Sequence, residues 1–73
     1  MKERLLEVFK RVFELEDLDE TISEKNCKKW DSMNHLNLVV EIEAEFDIIL
    51  EPEEIAEIKD FITAERIVSE KQI

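Results

Sequence analysis

A chain of 73 residues suffices for one domain and not for two, and a domain of that size buries only roughly 60% of the surface its unfolded chain exposes, which leaves little core in which to enclose a catalytic cavity. Ten Lys and Arg against twenty Asp and Glu give a formal net charge of −10, which repels nucleic acid and anionic membranes and attracts basic protein patches. The imbalance is local: residues 1–30 hold seven basic and eight acidic side chains, whereas residues 31–73 hold three and twelve.

Acid-rich helices also keep a small protein soluble, so charge alone does not name a partner. Cys27 is the only cysteine, so no internal disulfide is possible, and a small domain without such staples fits a reducing compartment. The N-terminal MKERLLEVFK lacks a signal-peptide apolar run, and no segment approaches a membrane span, which together lead us to expect a cytoplasmic protein. Residues 1–73 read as a single non-catalytic domain.

There is no glycine, and Pro52 is the only proline, so permission for left-handed turns is scarce and hairpin turn pairs are absent. The pattern is helical throughout. From about Lys2 to Glu14, Leu5, Phe9 and Val12 recur at helical spacing with Leu6 and Phe13 beside them, which predicts an amphipathic helix. Glu14 to Trp30 is polar and aperiodic. A connection of that length must be functional or pinned, and Leu15, Leu18, Ile22 and Trp30 are its expected anchors. A second helix is predicted from about Ser32 to Phe46. Pro52 suits the first position of a short third helix, PEEIAEI, with Glu53 and Glu54 near its positive end. Thr63 is expected to cap a fourth helix, AERIVSEKQI, with Ile67 and Val68 facing inward. The predicted fold is all-α, a small four-helix bundle with one short helix and a long loop between the first two.

The second helix has more apolar surface than such a bundle needs. At about 100° per residue, Leu38, Val39, Ile42 and Phe46 share a sector of about 100°, an ordinary core face. Met33, Leu36 and Val40 share another sector of about 60° on the other side, bordered by Ser32 and Glu43. That second stripe must be covered by the long loop, left exposed, or reserved for a visitor. A helix opening on Asp-Ser with a partly exposed Leu or Val is otherwise commonplace. The start of the helix adds chemistry, because unpaired backbone N–H groups and the positive end of the dipole converge there and favour a phosphate ester on Ser32. Asp31 is placed to cap the helix and hold the serine outward.

Asp31-Ser32-Met33 at the head of an apolar helix, followed by VVEIEAEFDIIL and PEEIAEI, resembles the acyl carrier protein family over essentially the whole chain. The family's attachment motif is Asp-Ser-Leu, with methionine here in place of leucine. The resemblance implies that Ser32 carries 4′-phosphopantetheine through a phosphodiester, added by a separate phosphopantetheinyl transferase using coenzyme A, with Asp31 beside it. The arm's thiol then holds acyl groups as thioesters. It further implies a monomer that inserts in no membrane and meets acyl-transferring, ketosynthase or ligase-type enzymes through basic docking patches. Met33, Leu36, Val40, Glu41 and Glu43 are the expected partner-binding residues.

Carriers of housekeeping fatty-acid synthesis place acidic residues where this chain has Asn34 and Asn37, and Lys28 and Lys29 stand just upstream of the serine. A specialised lipid, polyketide or polysaccharide-related pathway is therefore expected. The rival readings are an unmodified acidic adaptor that uses the second stripe to bind a partner helix, and a peptidyl (aminoacyl) carrier. Metal binding is not expected: one histidine, His35, and one thiol make a poor zinc site, and in EDLDETISEK an EF-hand would need glycine where Ile22 stands. His35 reads as a packing or surface residue, and Cys27 as an inert loop thiol.

Overall fold

The amphipathic stripes of the sequence become four helices in the computed structural model, which describes residues 1–72: α1 (Lys2–Phe13), α2 (Ser32–Phe46), α3 (Pro52–Glu57) and α4 (Phe61–Lys71). Among the described residues there is no strand, only an isolated bridge between Ser23 and Asp60. The Cα radius of gyration is 11.0 Å. A folded chain of this length is expected near about 11 Å, so the helices close on one another rather than extend.

The face that α1 buries is Leu5, Val8, Phe9 and Phe13, while Leu6 and Val12 are half-buried. The stripe thus extends at one edge to Val8, which the sequence reading omitted, while Val12 in the last turn is only half-buried. α1 packs chiefly on α2 and also meets α4. Phe9 sits at the hub of an aromatic cluster, its centroid 5.2 Å from Phe61 and 5.7 Å from Trp30, both edge-on. Such pairs add about 0.5–1.5 kcal/mol beyond the area they bury. They join α1, the long loop and α4 at one point.

The loop between α1 and α2 is held as its length demands. Ile22 and Trp30 are buried, and Leu15 and Leu18 are half-buried against the core. Cys27 is buried with them, so the loop thiol is a packing residue that the sequence reading passed over. Polar turns fix the rest. The Asp19 carboxylate accepts from the Thr21 hydroxyl at 2.6 Å and the Thr21 N–H at 2.9 Å. Those two bonds, the hydroxyl's first, hold its carboxyl below the ordinary range. The loop is also stitched to the segment before α4, with Glu24 N–H donating to the Lys59 carbonyl and Phe61 N–H to the Ile22 carbonyl.

Left-handed backbone does occur without glycine. Glu14 (φ 56°) and Asp47 (φ 54°) end α1 and α2, and their N–H groups return to the carbonyls of Lys10 and Glu43. A non-glycine residue there costs roughly 1–2 kcal/mol, which these closing bonds offset by satisfying orphan carbonyls. α3 starts at Pro52 as predicted, with a reciprocal capping box between Glu51 and Glu54. The Glu51 N–H, and then Lys71 at 2.9 Å, hold the Glu54 carboxyl below its ordinary range.

The start of α4 corrects the sequence reading. Asp60, not Thr63, is the N-cap; its carboxylate accepts the Thr63 N–H at 2.8 Å, and the helix begins at Phe61. Either side chain can cap, but only the earlier start puts Phe61 fully inside the core beside Ile67 and Val68. The predicted end of this helix at Ile73 lies outside the described residues.

Candidate functional site

Asp31 takes the N-cap position of α2 with extended backbone, and its Oδ1 accepts the Asn34 N–H at 2.9 Å. That bond is the one expected from Asp-Ser at a helix start, and it leaves Ser32 at the first helical position, solvent-exposed. The Asn34 side chain donates to the Lys29 carbonyl at 2.8 Å and accepts from Asn37 at 3.1 Å. These two asparagines therefore tie the approaching chain to the first turns of α2. Acidic side chains could not make the donations.

His35, one turn further, is half-buried and uses both ring nitrogens. Trp30 Nε1–H donates to His35 Nδ1 at 3.0 Å, and His35 Nε2 lies 2.9 Å from the Ile55 carbonyl on α3. Indole can only donate, so Nδ1 must be the acceptor and Nε2 must carry the proton. The imidazole therefore stands neutral, near-parallel to the indole with centroids 6.2 Å apart. Sequence reasoning took it for a packing or surface residue. Its carbonyl partner lies twenty residues away in the chain, and no local pattern signals such a tie.

Beside Ser32 runs an open cleft of about 390 Å³. Trp30, Asp31, Ser32 and His35 line it together with Ala56, Ile58 and Lys59, and with Glu24 of the long loop. The hydroxyl thus stands at a helix N-terminus, where backbone N–H groups and the dipole favour negative charge, at the rim of a partly polar groove.

The two stripes of α2 separate as the angles require. Leu38 and Ile42 are completely buried, and Val39 and Phe46 nearly so. Met33 is 73% exposed, and Leu36 and Val40 are each 61% exposed. The long loop does not cover them. The acidic residues below the stripe have internal work: Glu41 pairs with Arg11 at 2.9 Å, and Glu45 with Arg4 at 3.1 Å, both bridging to α1. Glu43, expected to steer partners, is half-buried and accepts the Leu50 N–H at 2.8 Å, closing the turn between α2 and α3.

Among the described residues, no three His, Cys, Asp or Glu side chains converge to hold a metal ion. No helix is long and apolar enough to cross a membrane. Comparison with protein-family models, with curated proteins and with solved structures found no match to this chain.

Proposed function

We propose that this protein is a non-catalytic acyl carrier, a small four-helix bundle that bears 4′-phosphopantetheine on Ser32. One observation carries the proposal: Ser32 is exposed at the amide-rich start of α2, and the apolar stripe of Met33, Leu36 and Val40 beside it is left uncovered by the fold. A phosphodiester on the Ser32 oxygen would meet the unpaired N–H groups of the first turn, while Asp31 keeps that turn formed. When bound, the arm supplies the thiol on which acyl groups travel. The chain's own residues anchor, orient and present; Ser32 holds the ester, and the stripe offers partner enzymes an apolar landing surface.

The partners in this reading are a phosphopantetheinyl transferase and acyl-transferring, ketosynthase or ligase-type enzymes with basic docking surfaces. The net charge of −10 attracts such surfaces. Asn34 and Asn37 at the head of α2 favour a specialised lipid, polyketide or polysaccharide-related pathway over housekeeping synthesis. A cytoplasmic monomer suits the charge and the lone, buried Cys27.

The deciding experiment is intact mass after incubation with coenzyme A and a broad-specificity phosphopantetheinyl transferase. Wild type should gain one phosphopantetheine group, and Ser32→Ala none. An unmodified wild type in the presence of active transferase would instead favour the helical adaptor, to which the exposed stripe is equally suited. A loaded arm that accepts amino acids but no acyl groups would make the protein a peptidyl carrier.

A further inference from the structure

Ser32 is exposed, so where its hydroxyl points follows from the backbone that delivers it to α2. That backbone is a turn at residues 29–31, in which the Asp31 N–H donates back to the Lys29 carbonyl at 3.0 Å. On one side the turn is fixed to the core. The Trp30 ring is buried, its centroid 5.7 Å from Phe9 and 5.1 Å from Phe13, and its indole N–H donates to His35. On the other side Asn34 ties it to the helix. This residue is half-buried at the third position of α2, and its Nδ2 donates to the same Lys29 carbonyl at 2.8 Å. Its own N–H goes to the Asp31 carboxylate at 2.9 Å. Ser32 lies inside the loop that these two bonds close.

An amide suits both neighbours of the Asn34 side chain. Asn37 donates to its Oδ1 at 3.1 Å, which leaves the nitrogen for Lys29. A carboxylate has no proton to give, so an acid at this position would leave the Lys29 carbonyl short of a donor. It would also compete for the Asp31 N–H, because an acid three residues past an N-cap accepts that group in a capping box. The helix itself should survive the change, since its dipole favours negative charge in the first turn. Amide and acid therefore favour different paths into the same helix.

We propose that Asn34 is a positioning residue for the loading of Ser32: it holds the 29–31 turn closed and so presents the hydroxyl in one orientation, a role that rests on the carrier reading of Ser32. Loading forms a bond between the Ser32 Oγ and the phosphorus that bears pantetheine. It breaks the pyrophosphate bond of coenzyme A and releases the adenosine nucleotide, while the serine proton passes to a base of the transferase. Such a displacement needs the oxygen in line with the bond that breaks. A turn that wanders therefore lowers the rate of the step more than the affinity of the encounter.

The test compares full-length wild type, Asn34→Ala, Asn34→Asp and Asn37→Ala as substrates of a broad-specificity phosphopantetheinyl transferase with coenzyme A. Backbone 15N order parameters at Asp31 and Ser32 are measured in the unmodified proteins. Both Asn34 variants should keep their helix content by circular dichroism and show lowered order at Asp31 and Ser32. Both should lose about tenfold in kcat with KM little changed, the scale of one hydrogen bond. Asn37→Ala, which leaves the Lys29 carbonyl its donor, should stay within about twofold of wild type in kcat. A loss in Asn34→Asp alone would make charge the cause and overturn the proposal. So would an equal loss in Asn37→Ala, a change in KM alone, or slow loading of Asn34 variants that are as ordered as wild type, since each points to direct contact with the transferase. Should one Asn34 variant fail to fold, the other decides. A wild type that active transferase does not load brings down the carrier reading and this role with it, whereas a loaded wild type with unaltered Asn34 variants brings down the role alone.

Discussion

Both sides of α2 carry apolar residues, and only one of the two is buried. Leu38, Val39, Ile42 and Phe46 are removed from water against α1 and the core, whereas Met33, Leu36 and Val40 stand in it. A fully buried aliphatic or aromatic side chain contributes roughly 1.5–3 kcal/mol, so the inner side holds the fold together. The outer side contributes almost nothing to it. Apolar residues that the fold does not use, set beside an exposed serine, are available for recognition, and that difference is what the proposed carrier function rests on.

The largest effect that would break this contrast is on stability. Leu38→Ala should cost about 2–5 kcal/mol, and Val40→Ala less than about 1 kcal/mol, as thermal unfolding would show. Equal losses would make the outer stripe ordinary core. Next comes Glu43, expected to steer partners, whose carboxylate also accepts the Leu50 N–H. Glu43→Ala should cost about 1.5–3 kcal/mol by orphaning the Leu50 N–H, while Glu43→Gln, which keeps an acceptor, should unfold within about 0.5 kcal/mol of wild type. If both variants are as stable as wild type but slow to be loaded, Glu43 serves partners after all.

A smaller effect is expected on transfer itself. Leu36→Asp should leave the melting temperature nearly unchanged yet lower the rate of arm loading or acyl transfer about tenfold, the scale of one interface anchor. An unaltered rate would move recognition off α2. The smallest effect lies away from this helix. Asp19 and Glu54 titrate below their ordinary values in the folded chain, so the unfolded chain binds more protons in that range and stability falls as pH drops through it. Asp19→Asn and Glu54→Gln should each flatten the acid limb of a stability–pH curve, leaving the α2 contrast untouched.

Much of this was legible in the sequence, because helical periodicity reports burial directly. The bounds of α2, its inner face and the Asp31 cap follow from spacing and from local hydrogen-bond chemistry. The start of α4 was misplaced because Asp60 and Thr63 are both good caps, and only the aromatic cluster around Phe9 decides between them. Val8 and Cys27 went unread as core because their neighbours come from other elements. The His35 tie and the cleft beside Ser32 need α3 brought onto α2, a tertiary fact with no local periodicity.

Glu14 and Asp47 bend the backbone where glycine would do so without strain, in a chain that contains none. The consequence falls on the unfolded ensemble. Each glycine would relieve roughly 1–2 kcal/mol of left-handed strain in the native chain but give back about 0.4–1 kcal/mol by multiplying the conformations open to the denatured one. The second term returns about half of the first. A 73-residue chain with no glycine loses less disorder when it folds, and so a core of modest size can hold a native state whose outer apolar surface stays free for other use.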